Sequence, residues 1–259
     1  GAVMTIFSRV TASKIGIGVI LLLGFGHAAS AAEIKVLSVV PLKSSIDELG
    51  SQFERSTGHK LAMTYDGSSQ LKRKFEANKP FDVALIYPEL IDELVKQGKL
   101  DAGMRADIAV VMVGVAIKKG APKPDVSTVE AFKRTLLNAK SISHSTEGAS
   151  GVYFQGLLQR FGIAAELKPK LRPVEGGNRV VGPVAKGEVE IGLTFLSEIH
   201  DPGVEVIGLL PREISTPTAL VGYVSTHARS PAGSEALLRY LSSPEVAGIY
   251  KALGMQPGR

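Results

Sequence analysis

The sequence predicts an α/β protein built as two lobes with a cleft between them. Short apolar runs alternate with amphipathic helix patterns along the chain, which is typical of parallel sheets covered by helices on both faces. Residues 108–117 form a nearly unbroken apolar run that ends in Lys118-Lys119-Gly120. This run is long for one strand, and it suits a segment that passes from one lobe to the other.

The first part of the chain predicts three strand–helix pairs. Strands are expected at residues 34–40, 60–65 and 82–86, and helices at residues 46–56, 70–77 and 88–97. Apolar residues in the helical segments recur at the spacing that places them on one helix face. Gly58 follows the first helix and Pro88 opens the third, and these residue types commonly end and begin helices.

The remaining chain predicts a second α/β unit followed by a return to the first. Helices are expected at residues 127–137, 152–161, 180–186, 233–241 and 244–253, and strands at residues 141–143, 170–174, 190–195, 204–210 and 219–225. A second crossing is expected near residues 222–226. Residues 32–110 and 226–259 are therefore predicted to form lobe 1, and residues 111–225 lobe 2. Two crossings make a hinged cleft that can close on a ligand.

The N-terminus predicts a secretory signal peptide over residues 1–31. Arg9 and Lys14 precede an apolar core at residues 15–25, and Ala29-Ser30-Ala31 provides a small-residue cleavage site, as in secretory leaders. A membrane anchor is the alternative, but a spanning helix needs about 20 apolar residues. We therefore expect an exported protein that meets the membrane only through a partner.

Charge and composition argue against several classes of function. The formal net charge of the whole chain is +5, and the leader accounts for two of its cations. Since no dense stripe of Lys and Arg with interleaved aromatics appears, nucleic acid is not an expected partner. The sequence contains no cysteine, which excludes thiolate metal sites and cysteine nucleophiles. Neither a metal nor another cofactor is predicted.

Four turns rich in Gly, Ser, Pro or Asn each join a predicted strand to a helix pattern. They lie at residues 41–45, 66–69, 147–151 and 175–178. The first turn of a helix presents backbone N–H groups that have no partner within the helix, and such groups bind anions without a formal positive charge. If the four turns converge on the cleft, they form a receptor for a small anion.

Several short motifs occur along the chain in an order and at a spacing that are typical of one protein family. They are residues 34–36 and 47–53, Gly67-Ser68-Ser69-Gln70-Leu71, residues 81–83, 98–101 and 151–153, Gly187-Glu188-Val189-Glu190-Ile191-Gly192, and residues 241–245 and 250–254. Through them the chain resembles the molybdate-type periplasmic substrate-binding proteins of ABC importers. The resemblance implies the type II periplasmic binding protein fold and a periplasmic monomer. It also implies that the protein delivers a small anion, such as molybdate, tungstate or another oxyanion, to an ABC permease.

The resemblance further implies that neutral donors hold a tetrahedral oxyanion. By position these donors are the hydroxyls of Ser68 and Ser69 and the backbone N–H groups of Ser150 and Gly177. Each position has a structural alternative. Serines beside a helix start commonly act as N-caps, and the glycine pair at residues 176–177 suits a turn with positive φ.

Two positions depart from this pattern. Pro41 stands where the family has a serine and supplies neither a hydroxyl nor an N–H, and Phe195 stands where a tyrosine hydroxyl is usual. A hydrogen bond to a charged partner contributes roughly 1.5–3 kcal/mol, so losing two would cost about 3–6 kcal/mol. Either neighbours such as Lys43, Ser44 or Ser45 compensate, or the ligand differs from molybdate.

Of these two alternatives we favour the second, in which the protein binds a ligand other than molybdate or a broader range of anions. Lys43, Tyr87 and Arg179 could line a cleft for a larger anion, such as a small organic acid. Packing beneath Pro88 is the structural alternative for Tyr87. His144, which lies close to the third turn, either faces the cleft or lies at the surface.

Catalysis is not expected from the sequence. No G-x-S-x-G, H-E-x-x-H or G-K-[ST] motif occurs, so nucleophilic, zinc-dependent and P-loop chemistry have no recognisable signature. A sensory protein that presents its ligand to a receptor would use the same cleft. That function stays open beside delivery to an importer.

Overall fold

The computed structural model describes residues 30–258. The predicted signal peptide, residues 1–31, lies outside the described residues except for its last two positions. Within the described range, no helix is both long enough and apolar enough to cross a membrane.

Strands and helices alternate along the described chain, as the sequence predicts. The strands are β1 Glu33–Val39, β2 Lys60–Asp66, β3 Val83–Ile86, β4 Leu100–Val111, β5 Val113–Lys118, β6 Ile142–Ser145, β7 Leu171–Val174, β8 Ile191–Phe195, β9 Val204–Leu209, β10 Thr218–Ser225 and β11 Gln256–Pro257. The helices are α1 Lys43–Thr57, α2 Ser68–Glu76, α3 Ile91–Lys96, α4 Val129–Asn138, α5 Ala149–Arg160, α6 Ala164–Leu167, α7 Val181–Ala185, α8 Pro231–Leu241 and α9 Ala247–Ala252.

The first sheet has six strands in the order β11–β4–β10–β3–β1–β2. β1 runs parallel to β2 and β3, whereas β10 runs antiparallel to both β3 and β4. The parallel strands are connected through α1 and α2, because parallel neighbours need a crossover connection. The carboxyl ends of β1, β2 and β3 therefore lie at one edge of this sheet.

The second sheet has five strands in the order β7–β6–β8–β5–β9. β6 runs parallel to β7 and β8, and β5 runs antiparallel to β8 and β9. The carboxyl ends of β6, β7 and β8 again share one edge. Ligands of open α/β sheets bind outside such carboxyl ends, so these two edges are where a site is expected.

The first crossing between the sheets lies inside the predicted apolar run. β4 ends at Val111 in the first sheet, and β5 begins at Val113 in the second. Met112 is the single residue between them. The run at residues 108–117 is long because it contains the end of one strand and most of the next.

The second crossing differs from its prediction. It lies between Leu209 and Thr218, whereas the sequence placed it near residues 222–226. β10 pairs with β3 and β4, so residues 218–225 belong to the first sheet and not to lobe 2. The apolar pattern of this strand suits either sheet, and only its antiparallel pairing decides between them.

Helix ends follow the expected local chemistry. α1 ends at Gly58, which has a φ of 77° in the left-handed region, where glycine carries no steric penalty. The hydroxyl oxygen of Thr128 caps α4 by accepting a hydrogen bond from the Ala131 N–H at 3.1 Å. Pro231 opens α8, two residues before the predicted start.

Four elements differ from the sequence prediction. β4 begins at Leu100, eight residues earlier than the apolar run, because its first half is mostly polar or exposed and is held by pairing with β10. α6 and β11 are too short to leave a periodic signal. The predicted helix at residues 244–253 is divided into the 3-10 turn Pro244–Val246 and α9.

Large aromatic side chains pack against both sheets. Phe53 of α1, Phe75 of α2, Phe132 of α4 and Phe154 of α5 are each at most 1% exposed. Full burial of such a side chain contributes about 1.5–3 kcal/mol. This core holds the strand ends, and with them the turns that follow, in fixed positions.

Candidate anion-binding cleft

A cavity of about 390 Å³ lies at the carboxyl ends of the parallel strands of both sheets. All four predicted turns contribute to its wall. The first does so through Pro41 and Lys43, and the others through residues 66–68, 147–150 and 175–178. The predicted convergence of the four turns on one cleft is therefore present in the structure.

Loops from the two sheets touch beside this cavity. A side-chain carbon at Gly67 would lie 3.0 Å from the carbonyl oxygen of Glu147. The second and third turns are therefore so close that a side chain at residue 67 would crowd the third turn. The Ser44 hydroxyl donates a hydrogen bond to the carbonyl oxygen of Ser197 over 3.0 Å. These contacts hold the two sides of the cleft together.

The N-terminus of α2 forms one part of the wall. The helix begins at Ser68 with Gly67 as its N-cap. The Gln70 side chain accepts a hydrogen bond from the Gly67 N–H over 3.3 Å, so that N–H is already occupied. The alternative that Ser68 and Ser69 cap this helix is wrong, because both residues already lie within it. Ser68 is half-buried and lines the cavity, whereas Ser69 is exposed and lies away from the wall.

The N-terminus of α5 faces the same cavity. Gly148 is its N-cap without a side-chain hydrogen bond, so Ser150 is not the cap of this helix either. Ser150 is 1% exposed, and its hydroxyl lies 3.4 Å from that of Ser145. A side chain at Gly151 would collide with the carbonyl oxygen of Ser145. That contact explains the small residue there.

Gly177 is buried in the fourth turn and lines the cavity. The expectation of positive φ at residues 176–177 is wrong, since neither glycine has one. The reason for glycine is instead steric, because a side chain at residue 177 would collide with the carboxyl group of Glu198.

Pro41 and Phe195 both line the cavity, as their predicted positions require. Pro41 lies in the 3-10 turn Val40–Leu42, and Phe195 ends β8 with 2% of its surface exposed. Neither side chain offers a hydrogen-bond donor to this wall. The two departures from the oxyanion-binding pattern therefore fall at the cavity itself.

Lys43, Arg179 and Tyr87 also line the cavity. Both cations have carboxylate partners: Lys43 pairs with Asp47 at 2.9 Å, and Arg179 pairs with Glu175 at 3.0 Å. Both pairs are exposed, so each is worth little energetically and can open toward a ligand. Tyr87 is buried after β3, and this burial raises the pKa of its hydroxyl, so the group remains a neutral donor.

Tyr65 is a cleft residue that the sequence analysis missed. It lines the cavity near the end of β2, and its hydroxyl is buried without a hydrogen-bond partner among residues 30–258. Burial, with a smaller effect of Asp47, raises its pKa. The position of Tyr65 directly before the second turn is the sequence feature that could have identified it as a cleft residue. A neutral hydroxyl is thus free to donate to a bound anion.

Glu198 is the second missed residue. It is 7% exposed, lines the cavity and accepts a hydrogen bond of 2.6 Å from the Thr194 hydroxyl. Among residues 30–258, no cation forms an ion pair with it. Burial raises the pKa of this carboxyl to about 7, although hydrogen bonds from Thr194 and the Phe195 N–H act in the opposite direction. Sequence pattern gave no sign of it, because an acidic residue after a strand is usually solvated.

His144 takes neither of its two predicted positions. It is 3% exposed within β6 and packs against Phe154 with 5.4 Å between ring centroids. Its Nδ1 lies 3.0 Å from the carbonyl oxygen of Ser145, and burial lowers its pKa. The side chain belongs to the packing beneath the third turn and does not line the cavity.

The wall of the cavity offers donors to an anion beside several carboxyl groups. It combines helix N-termini, hydroxyl groups and two cations with the carboxyl groups of Asp66, Glu147, Glu175 and Glu198. Among the described residues, no three His, Asp or Glu side chains are grouped so as to hold a metal ion.

Comparisons with known proteins bear on the fold and the ligand. Residues 34–256 match the family described as bacterial extracellular solute-binding protein. A protein named aconitate isomerase, from Pseudomonas sp, is 31% identical over 237 residues, covering 89% of this chain and 90% of that protein. The molybdate-binding protein ModA of Azotobacter vinelandii is 27% identical over 233 residues, covering 88% of this chain and 91% of that protein. The solved periplasmic molybdate-binding protein of Azotobacter vinelandii has a TM-score of 0.73 at 18% identity, covering 87% of this chain and 100% of that one.

Proposed function

This chain belongs to the family of bacterial extracellular solute-binding proteins, within its molybdate type, and we propose that it binds a small polycarboxylate in its cleft and delivers it to an ABC permease. The observation that carries the proposal is Glu198. Its buried carboxyl group, which pairs with no cation in the described part of the chain, lies among the donors that would surround an oxyanion. Ionised, it repels a dianion such as molybdate, while a carboxylate ligand can share a proton with it.

The size of the cavity supports the same ligand class. Four oxygen atoms of water size occupy on the order of 120 Å³, and the cavity measures about 390 Å³. The cleft is partly open to solvent, so a tetrahedral oxyanion would share it with water. An organic acid with two or three carboxylates would fill it and reach donors on both sides of the cleft.

The donors are distributed as such a ligand requires. Backbone N–H groups at the starts of α2 and α5 suit one carboxylate, since helix N-termini favour negative charge. The Tyr65 hydroxyl and the guanidinium of Arg179 suit further carboxylates, because both line the same cavity. A polyanion of this kind also offsets the loss of donors at Pro41 and Phe195.

The proposal is tested by calorimetric titration of the mature chain with trans-aconitate, citrate, molybdate, tungstate and sulfate. We expect at least one polycarboxylate to bind and to raise the melting temperature, since ligand at 100 times its Kd stabilises the fold by about 2.7 kcal/mol. Molybdate is expected to bind at least 100-fold more weakly. Tight binding of molybdate without binding of either carboxylate would contradict the proposal.

Turnover of the bound acid is a second candidate function. The relative named aconitate isomerase favours it, and so does a cleft carboxyl whose pKa lies near 7, because general bases work best near the ambient pH. In such a reaction, a base removes a proton from the methylene carbon beside the double bond. The double bond shifts by one carbon and the proton returns at its other end, so no oxidant or second substrate is needed. Glu198 is the group that we assign to this proton transfer, in those complexes in which its carboxyl group is ionised.

Proton NMR in deuterated buffer tests this second function. We expect wild-type protein to interconvert cis- and trans-aconitate with incorporation of deuterium. Glu198→Gln should slow the reaction by about 100-fold or more, since general-base catalysis typically contributes that much, while leaving binding measurable. A wild-type rate equal to that of buffer alone would eliminate turnover and leave the binding function in place.

Export and delivery are further parts of the proposal. The family is extracellular, and we propose cleavage after Ala31 and action as a periplasmic monomer. N-terminal sequencing of the exported protein should begin at Ala32, and a mass measurement in solution should give one chain. Deletion of the protein from its host should abolish uptake of the labelled carboxylate. Intact uptake would favour the sensory alternative.

A further inference from the structure

The carboxyl group of Glu198 is held in place from two directions. Thr194 lies in β8, four residues before Glu198. Its hydroxyl contacts both the Glu198 carboxyl at 2.6 Å and the Gly177 carbonyl oxygen at 3.3 Å. The absence of a side chain at Gly177 makes room for the carboxyl. The group therefore has a fixed position at the cavity wall, beside the fourth turn.

The cations near this carboxyl do not neutralise it. Lys43 and Arg179 face the same cavity, but their closest carboxylates are Asp47 at 2.9 Å and Glu175 at 3.0 Å. Both lysine and arginine side chains are substantially exposed in these pairs. Their charges are therefore screened by water before they act on Glu198.

The other titratable groups facing this region are acidic, phenolic or histidine side chains. Tyr65, Asp66, Tyr87 and Glu147 line the cavity, while His200 and Asp201 line the adjoining hollow that also contains Glu198. With Glu175 and Glu198 the cavity wall carries four carboxyl groups against two cations, so a proton on Glu198 reduces the excess negative charge that an entering anion meets. Burial makes that proton favourable, because it raises the pKa of the carboxyl to about 7.

We propose that the cleft takes up one proton together with its anion, and that Glu198 holds this proton and donates it to the ligand. This inference rests on the proposed function, because it assumes that an anion occupies the cavity. A protonated Glu198 changes from an acceptor that repels the ligand into a hydrogen-bond donor. It thereby supplies one of the donors that Pro41 and Phe195 lack.

The protonation of Glu198 decides whether the affinity for the anion rises or falls with pH. Below about pH 6 the free protein already carries the proton, so affinity is insensitive to pH there. Above about pH 7 the free protein must first gain a proton, so the apparent Kd rises by up to tenfold for each pH unit. The number of protons taken up per bound anion then approaches one.

Isothermal titration calorimetry measures both quantities. The full mature chain is titrated with trans-aconitate, and separately with molybdate, from about pH 5.5 to about pH 8.5. At each pH, buffers of different ionisation enthalpy report the number of protons bound. We expect uptake of nearly one proton at about pH 8 and almost none at about pH 5.5.

Three variants assign the proton to its residue. Glu198→Gln keeps the shape but cannot titrate, so its Kd should not change above about pH 7 beyond any change that the ligand itself causes. Thr194→Val removes a hydrogen bond that favours the ionised carboxyl, and it should move the fall in affinity to higher pH. Glu166→Gln alters an exposed carboxyl of α6 that does not line the cavity and is the control, and His200→Gln tests the nearby imidazole. Both of these should retain the wild-type profile.

The outcomes separate this inference from the proposed function. Binding of either anion without proton uptake overturns the inference, as does a pH profile that His200→Gln abolishes and Glu198→Gln leaves intact. Binding of molybdate alone, with uptake of a proton, refutes the carboxylate ligand while supporting the inference. If neither anion binds at any pH, the inference fails, and the proposed function fails with it when citrate does not bind either.

Discussion

Replacing Glu198 by glutamine is expected to change how the free energy of unfolding depends on pH. The amide has nearly the same shape as the carboxyl, and its oxygen still accepts the hydrogen bond from Thr194, which measures 2.6 Å in the wild type. The substitution therefore removes a proton equilibrium with little change in packing. Any effect that grows with pH then reports on that equilibrium.

The magnitude follows from the pKa of the buried group. Burial raises it from an ordinary 4.5 to about 7, so between these values the folded chain holds a proton that the unfolded chain has released. The contribution of this group to stability is fully present below about pH 4.5 and is lost as pH rises through about 7. At about 1.4 kcal/mol for each pH unit, the loss amounts to about 3 kcal/mol.

Urea denaturation of the ligand-free mature chain at several pH values from about 5 to about 8 measures this effect. The quantity to follow is the free energy of unfolding of Glu198→Gln minus that of the wild type, because other titrating groups cancel in the difference. It should increase by about 2–3 kcal/mol from the lowest to the highest pH. Glu175→Gln alters a carboxyl group that is exposed at the same cleft, and its difference should stay constant.

A difference that is flat across this range would refute the argument, because it would mean that Glu198 titrates alike in the folded and unfolded chains. A decrease with rising pH would refute it more strongly. That result would require the folded protein to stabilise the ionised carboxylate.

Other substitutions test the remaining features. Pro41→Ser combined with Phe195→Tyr restores two donors and should tighten molybdate binding by up to two to four decades; calorimetry showing no gain would contradict the role given to these positions. Tyr65→Phe should weaken binding of the anion by roughly 10–100-fold with an unchanged melting temperature, since its hydroxyl has no hydrogen-bond partner within residues 30–258. Gly67→Ala places a methyl group 3.0 Å from the Glu147 carbonyl oxygen and should weaken binding by about tenfold through poorer closure. Wild-type affinity in that variant would show that the contact is dispensable. Phe132→Ala should lower the free energy of unfolding by about 3–5 kcal/mol in denaturant titrations, and a loss below about 1 kcal/mol would show that its pocket collapses.

Much of the fold could be predicted because local pattern and global structure agree. The strand–helix alternation predicted parallel sheets, and the apolar run around Met112 marked the first crossing. Gly58 ended α1 as its residue type suggested. Parallel strands of one sheet bring their carboxyl ends to a common edge, so the turns could be expected at two sheet edges, and the packing of the two sheets then brings all four to one cleft.

Other features depended on pairing and contact, which no local pattern encodes. The pairing of β10 with β3 and β4 moved the second crossing. Ser68 and Ser69 are adjacent in sequence, yet only Ser68 reaches the cavity, because successive residues of a helix point in different directions. The requirement for glycine at residue 177 comes from the carboxyl of a residue that follows a different strand.

The sequence by itself determined the α/β fold and the four turns, because these follow from periodicity and turn chemistry, and the resemblance of its short motifs indicated the family and the departures at Pro41 and Phe195. Only the tertiary structure decided that Glu198 and Tyr65 belong to the cleft. An acidic or phenolic side chain acquires its chemistry from burial and from its neighbours. Both depend on how two distant segments of the chain are packed together.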